Sequence, residues 1–261
     1  MSDSIARFPA EPSIYPYSAV RVLPASSLLV FAPHPDDEIF GCGGVLALAL
    51  DAGTPVHIVV VTDGGQGGDP VRREQESRVA AQVLAAGKAG AHIEFWRQPD
   101  RTVLPNAQLV ERMSAAMAAS QADWVLAPSP FEIHPDHRAV CLAACLAAHL
   151  AFTSSFATQP QARLAFYEVG HPLLPNLLVD ITPVLARKSA AMACFESQLQ
   201  VQRYDQHVLG LNRFRSYTLG PGVTHAEALH VVGAAELAGG VAGIVGRIHN
   251  QVVERLGLVL D

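Results

Sequence analysis

Two short clusters of histidine and aspartate are the parts of this sequence best suited to chemistry. One is the run 33–38, Pro-His-Pro-Asp-Asp-Glu, and the other is the run 134–137, His-Pro-Asp-His. A catalytic zinc ion takes three protein ligands, for which imidazole and carboxylate groups are standard, and keeps one position open for water. That water also needs a nearby base to accept its proton. Together the clusters contain enough groups for every one of these roles.

Each cluster also has a purely structural interpretation. Asp36 or Asp37 could cap a helix that starts near Ile39, and Asp136 could cap the helix that follows it, because aspartate is a favoured N-cap residue. Either cluster alone is compatible with that interpretation. Four carboxyl and imidazole groups within six residues, followed later by a second such cluster, favour a functional site.

The elements that would position the clusters alternate along the chain. Apolar strands are predicted at 27–32, 56–62, 91–96 and 124–127, and helices at 39–51, 71–86, 106–120 and 135–152. This alternation predicts an α/β fold, a single Rossmann-like domain with a mostly parallel sheet flanked by helices. In such sheets ligands bind beyond the carboxyl ends of the strands, and the first and fourth strands are usually neighbours. Because each cluster follows one of those two strands, the fold should bring the clusters together.

The rest of the chain is predicted to add an arm, two strands and a helical ending. Residues 1–25 contain four prolines and are expected to run as an extended arm before a domain that spans residues 26–232. Strands are expected at 165–169 and 177–180, and a helix at about 184–198. Residues 233–261 are expected to form an amphipathic helical extension whose apolar stripe comprises Val241, Ile244, Val245, Ile248, Val252 and Leu256. Such a stripe could pack on the protein's own core, form a homo-oligomer contact or lie beside the pocket mouth.

Composition narrows the function classes. The formal net charge is −6 and no run of Lys or Arg occurs, which argues against a nucleic-acid partner. The start of the sequence has no secretory-signal pattern and no apolar stretch is long enough for a bilayer, so we expect a cytoplasmic protein without a membrane partner. The four cysteines lie in apolar surroundings and are expected to be buried free thiols.

The two clusters resemble the signatures of a known family, the zinc-dependent PIG-L/LmbE-like N-acetylglucosaminyl deacetylases. The stretch 33–44 is similar to the family's His-Pro-Asp-Asp-Glu block and the glycine-rich turn after it, and 134–137 is similar to its His-Pro-Asp-His signature. The resemblance extends over about residues 26–232. Weaker matches are Thr62-Asp63-Gly64, Arg73, Glu76, the stretch 167–182, Lys188, Ser197-Gln198 and the stretch 226–228.

The resemblance implies a role for most groups of the two clusters. His34, Asp37 and His137 would be the ligands of one Zn²⁺ ion per chain. Asp36 would be the general base that takes a proton from the attacking water. His134 would be the cation that stabilises the oxyanion and then protonates the leaving amine. These roles agree with the chemistry of the residues, because adjacent Asp36 and Asp37 cannot point the same way, so one can bind the metal while the other faces the water.

Three further residues complete the expected site. Asp136 is counted with the catalytic residues because a carboxylate beside His134 would favour the charged imidazole. Arg73 and His225 are expected to contact the substrate, although Arg73 is equally compatible with a solvated charge on a helix.

The leading functional hypothesis is therefore a zinc-dependent hydrolase that removes the acetyl group from an N-acetylglucosamine-type sugar or sugar conjugate. One alternative is an amidase that acts on another sugar-linked amide, such as a thiol conjugate. Another is a non-catalytic sugar-binding protein, against which Asp36 argues, because binding alone would not need a general base.

Overall fold

The computed structural model of the protein describes residues 10–154, 162–237, 242–244 and 246. The strands are β1 (Leu28–Ala32), β2 (Val56–Thr62), β3 (Ala91–Gln98), β4 (Trp124–Pro128), β5 (Arg163–Tyr167), β6 (Leu177–Asp180) and β7 (Ala226–Gly233). The helices are α1 (Glu11–Ile14), α2 (Asp37–Asp51), α3 (Pro70–Ala85), α4 (Ala107–Ser120), α5 (Pro135–Ser154), α6 (Leu185–Met192), α7 (Glu196–Leu199), α8 (Tyr204–Arg215) and α9 (Ala234–Leu237).

The strands form one mostly parallel sheet in the order β3-β2-β1-β4-β5-β7-β6. Strand β7 runs antiparallel to both of its neighbours, whereas β1 pairs in parallel with β2 and with β4. The chain builds outward from β1 to β3 and then returns to the other side of β1 to begin β4. The predicted α/β fold is confirmed, and the β1–β4 boundary is the switch point at which such sheets bind ligands.

Both faces of the sheet are covered by helices, as continuous apolar strands require. Leu29 and Phe31 of β1 belong to the core beneath α4 and α5, whereas Leu28, Val30 and Ala32 belong to the core beneath α2, α3 and α6. Alternate residues of a strand point to opposite faces, so a strand that is apolar throughout supplies both cores.

The N-terminal arm and the C-terminal extension are described only in part. Residues 1–9 of the predicted arm lie outside the described residues, and Val20 forms an isolated parallel bridge with Val179 of β6. The predicted amphipathic helix also lies mainly outside them, although Ile244 is buried in the core. No helix in the described part of the chain combines the length and apolarity that crossing a membrane requires. The cysteines are free thiols; Cys42, Cys141 and Cys145 are buried, while Cys194 is partly exposed.

The prediction was wrong for the segment after β6. In place of one helix over 184–198, a turn at Thr182–Val184 is followed by α6 and the separate short α7. The stretch 226–233, predicted to lie before a helical ending and given no strand, forms β7. The pattern of β7 is hard to recognise because Glu227 and His230, although polar, are almost completely buried. Their burial depends on partners far along the chain, which local sequence cannot show.

The start of α2 approaches strand β5 very closely. A Cβ atom on Gly41 would overlap the ring of Tyr167, lying only 2.6 Å from its Cε2, and would lie 3.0 Å from the carbonyl oxygen of Glu168. Tyr167 cannot easily move, because it is fully buried and its hydroxyl donates to the carbonyl of Phe31 at 2.9 Å. The glycine after the first cluster therefore lets the helix pack against the sheet.

We predict that Gly41→Ala lowers the free energy of unfolding by about 1–3 kcal/mol, the usual cost of overpacking a buried site. Gly43→Ala is the matched control, because its Cβ would meet nothing closer than 3.5 Å. Urea unfolding of both variants measures the difference, and equal stability of the two would contradict the close approach.

Candidate active site

The two predicted clusters meet at the carboxyl ends of β1 and β4. Nδ1 of His34 lies 3.2 Å from Oδ2 of Asp37 and 3.2 Å from Nε2 of His137. Nε2 of His137 is also 3.2 Å from the same Asp37 oxygen. All three side chains are buried, although His137 is a hundred residues away from the first cluster. The parallel pairing of β1 with β4 brings them together.

The triangle formed by these three atoms fits one divalent cation. In a tetrahedral shell with metal–ligand bonds of about 2.0–2.1 Å, neighbouring ligand atoms are about 3.3 Å apart. Hydrogen bonding alone explains the triangle poorly, because the two ring nitrogens face each other and can share at most one proton. Two imidazoles and one carboxylate are also a donor set of catalytic zinc sites.

The opposite side of the His34 ring is held by two carboxylates. Its Nε2 lies 3.2 Å from Oδ1 of Asp100 and 3.3 Å from Oδ2 of Asp136. Asp136 is itself fixed, because it accepts the backbone N–H groups of Arg101 at 2.7 Å and Val103 at 3.3 Å. An Nε2–H that donates to carboxylates leaves Nδ1 free for a cation and orients the ring towards it.

A third carboxylate stands behind His137. Oε2 of Glu132 lies 3.4 Å from Nδ1 of His137. Glu132 is almost completely buried and accepts the backbone N–H groups of Val169 at 2.8 Å and Gly170 at 3.0 Å. Each histidine of the triangle therefore has a carboxylate facing its outer nitrogen, the arrangement that orients metal-binding imidazoles.

The electrostatics of the cluster favour positive charge at its centre. Burial would lower the pKa of His137, but Asp37 and Glu132 together outweigh burial and raise the pKa to about 9. Burial would raise the pKa of Asp37, but His137 and His34 outweigh it and hold that pKa well below its ordinary value. A cation bound between these groups would supply the same positive charge.

Asp36 is held in a strained backbone conformation beside this triangle. Its φ of 136° lies in a region that favours glycine, and such strain costs about 1–3 kcal/mol. Its carboxylate accepts a bond of 2.9 Å from Nη2 of Arg73, whose guanidinium also donates to the carbonyls of Gly64 and Pro35. Burial raises the pKa of Asp36 to about 6, and Arg73 opposes that rise. Arg73 thus binds Asp36 and the surrounding backbone.

Glu38 stabilises the strained residue from the other side. Its Oε2 accepts the backbone N–H of Asp36 at 3.1 Å, and its Oε1 accepts the hydroxyl of Ser77. The side chain is completely buried, and burial raises its pKa to about 8. Glu38 belongs to the first cluster, but sequence reasoning assigned it no role.

The surroundings of His134 disfavour the positive charge that the resemblance implies. Its Nδ1 accepts the backbone N–H of Asp136 at 3.2 Å, which leaves the ring proton on Nε2. Burial, and then His34 and His137, lower the pKa of His134. The carboxylate of Asp136 faces His34 and not His134, so it does not form the expected pair with His134. The structure therefore favours a neutral His134 with one N–H to donate.

The cluster lines a cavity of about 580 Å³. The lining includes His34, Asp36, Asp37, His134 and His137 of the two clusters, together with Phe40, Arg101, Gln198, Gln202, Tyr204 and His207. Phe40 and Tyr204 form an edge-on aromatic contact with ring centroids 6.4 Å apart. Such a wall of aromatic and amide side chains is typical of sites for small polar ligands.

Two expected substrate contacts have different outcomes. Arg73 does line the cavity, but its guanidinium is committed to Asp36 and two backbone carbonyls. His225 does not line the cavity, and its Nδ1 contacts the hydroxyl of Thr224.

Sequence reasoning missed Asp100 and Glu132, although a signal for both was present. Each lies in a loop that follows a strand, β3 for Asp100 and β4 for Glu132. The rule that ligands bind beyond the carboxyl ends of strands applies to them as it does to the two clusters.

Comparison with known proteins supports the sequence-based resemblance. Residues 29–148 match the PIG-L family, described as GlcNAc-PI de-N-acetylase. The diacetylchitobiose deacetylase of Thermococcus kodakarensis is 28% identical over 193 residues, which cover 66% of this chain and 69% of that protein. The 4-oxalmesaconate hydratase of Pseudomonas putida is 25% identical over 241 residues, which cover 78% of this chain and 86% of that protein. Among solved structures, the conserved protein TT1542 from Thermus thermophilus is 30% identical, with a TM-score of 0.67 and coverage of 78% of this chain and 93% of that one.

We predict that the purified protein binds one divalent cation and that His34→Ala, Asp37→Ala and His137→Ala each abolish tight binding, because a three-ligand site cannot spare a ligand. Ser129→Ala is a control, because Ser129 is buried in the loop after β4 but is not one of the three ligands. Elemental analysis after dialysis measures the metal content, and full occupancy in the three ligand variants would contradict the assignment.

Proposed function

Because the chain belongs to the PIG-L/LmbE-like family, we propose that it is a zinc-dependent hydrolase that removes the acetyl group from an N-acetylated sugar or sugar conjugate. The triangle of His34, Asp37 and His137 beside Asp36 is the observation that carries the proposal. The donor set suits a zinc ion, and a carboxylate next to it suits a general base. The relative from T. kodakarensis, a diacetylchitobiose deacetylase, supports the sugar substrate.

In this proposal His34, Asp37 and His137 hold the ion, while Asp100, Glu132 and Asp136 fix the two imidazole rings. A zinc ion held there would polarise the carbonyl of the amide and would make water a stronger nucleophile at neutral pH. The rigid carboxylates around the rings keep the three donor atoms in place throughout the reaction.

Asp36 moves the proton. Its carboxylate accepts a proton from the water as the water oxygen attacks the amide carbon. Arg73 and Glu38 hold Asp36 in its strained backbone conformation, so that its carboxylate lines the cavity beside Asp37. When the bond between carbon and nitrogen breaks, Asp36 returns this proton to the nitrogen. The products are a free amine and acetic acid, which ionises to acetate in water, and Asp36 is regenerated.

His134 stabilises the negative charge that develops on the carbonyl oxygen. A neutral imidazole whose Nδ1 accepts a backbone N–H presents Nε2–H as a donor. A preorganised donor of this kind typically contributes about 10²–10³ in rate. This role replaces the proton-donating cation expected from the resemblance, because a neutral ring has no second proton to give.

The proposal has three alternatives, and acetate release distinguishes the proposal from each of them. An amidase for other sugar-linked amides would release a carboxylic acid only from those conjugates. The relative from P. putida, a hydratase, shows similarity over most of its length, so addition of water without acyl release is the second alternative. A non-catalytic sugar-binding protein would release nothing.

We predict acetate release from N-acetylglucosamine or its short oligomers and conjugates by the zinc-loaded protein, measured over a panel that includes N-acylated thiol conjugates. Asp36→Asn should retain the metal but lose about 10²–10⁴ in turnover, as expected when a general base is removed. Metal-loaded protein that releases no acetate from any member of the panel would contradict a deacetylase.

We further predict that His134→Gln retains more activity than His134→Ala, by about tenfold or more, because a glutamine amide can still donate one hydrogen bond to the oxyanion. Steady-state kinetics of both variants on one acetylated substrate measures the ratio. Equal losses in both variants would indicate that His134 acts by transferring a proton.

A further inference from the structure

A buried ion pair lies away from the reacting groups, at a break in helix α2. Lys188 of α6 and Glu227 of β7 are completely buried, and Nζ of Lys188 donates to Oε1 of Glu227 at 2.7 Å. Neither side chain lines the cavity. Helix α2 is broken beside this pair at Cys42, whose φ of −138° and ψ of 20° are not helical.

The ion pair replaces the backbone hydrogen bonds that are lost at the break in α2. In a regular helix the N–H of Gly44 would donate to the carbonyl of Phe40. Here the N–H groups of Gly44 and Val45 donate to the two carboxylate oxygens of Glu227, each at 2.7 Å. The carbonyl of Phe40 accepts Nζ of Lys188 at 3.0 Å. The pair thus joins the two ends of the broken helix through hydrogen bonds to three backbone groups.

The network around the pair is saturated. The third donor of Lys188 goes to Oδ1 of Asn212 in α8 at 2.9 Å, so each of its three protons has an acceptor. Close approach of Glu227 also requires glycine at position 44, since a Cβ there would lie 2.9 Å from Oε1 of Glu227 and would overlap Ile181. A buried pair with every group satisfied holds its neighbours in one arrangement.

The break separates the first turn of α2 from the rest of the helix. That turn begins at Asp37, directly after Asp36, and includes Phe40, whose ring lines the cavity. We propose that Lys188 and Glu227 are positioning residues, which fix this turn so that Asp37 reaches the same point as His137. The inference rests on the metal site of the proposed function, and it assigns the pair an effect on the site beyond its contribution to stability.

The experiment compares single and double replacements. Lys188→Met and Glu227→Gln each leave one buried charge without its partner, so both should lower the melting temperature. The double variant K188M/E227Q removes both charges and should recover most of that loss. Glu227→Asp keeps the charge but withdraws the carboxylate from the helix break, so it tests the same point if the neutral variants fold poorly. Arg187→Met is the matched control, because the neighbouring Arg187 binds Asp51 and the carbonyl of Ala47 at the far end of α2.

The readout is binding of cobalt(II), whose absorption spectrum reports ligand geometry independently of activity. We expect the double variant and Glu227→Asp to bind cobalt about tenfold or more weakly, as when orienting groups behind metal ligands are lost, and to show an altered spectrum. Arg187→Met should match the wild type. A stable double variant with the wild-type spectrum and affinity would overturn the positioning role, whereas a wild-type protein that takes up no cobalt would contradict the proposed function and this inference with it.

Discussion

Burial of negative charge around two histidine rings is the constraint on which the rest of the site depends. Five carboxylates lie against or beside His34 and His137, and these are Asp36, Asp37, Asp100, Glu132 and Asp136. A buried carboxylate is costly unless it is paired or hydrogen-bonded. Each therefore binds groups whose positions become fixed in turn, such as Arg73 or the backbone amides of the loops after β3 and β5. The need to satisfy these charges thus makes the loops around the cavity rigid.

The segment that contains the first cluster and the start of α2 has irregular backbone angles at two residues, Asp36 and Cys42. Each departure is stabilised by a buried ion pair from a distant part of the chain, Arg73 to Asp36 and Lys188 to Glu227 across the break. Strain of this kind persists only where the surroundings determine it, and it concentrates at functional sites. In an unbroken helix, the position of Asp37 would be determined by the axis of the whole helix. The break at Cys42 separates the first turn of α2, which carries Asp37, from the remainder of the helix, which packs in the core.

Local sequence predicts the features that depend on nearby residues, and it does not predict those that depend on partners far along the chain. The strands β1 to β4, the helices between them and the meeting of the two clusters follow from apolar runs and from the order of strands in such sheets. Strand β7 was not predicted because a buried glutamate such as Glu227 is stable in a strand only when it is paired. Its partner, Lys188, is 39 residues away along the chain. The neutral state of His134 depends on one backbone N–H and on the direction in which Asp136 points, neither of which is visible in a spacing. Sequence patterns thus identified the two clusters that meet in the structure more readily than the buried groups that hold them.

The two clusters lie within the part of the sequence that matches the family, whereas several other residues that line the cavity lie outside it. The segment that matches the PIG-L family, residues 29–148, contains the triangle, Asp36, His134 and the carboxylates behind the two rings. Other residues that line the cavity lie after this segment in the sequence, on α7, α8 and their connection. They are Gln198, Gln202, Tyr204 and His207. The carboxylates behind the two rings are buried and hydrogen-bonded, whereas the side chains of Gln202, Tyr204 and His207 are exposed and can change without disturbing them. The chain is similar to both a sugar deacetylase and a hydratase, and in the proposed function the cavity residues on α7 and α8 would select which substrate reaches the reacting groups.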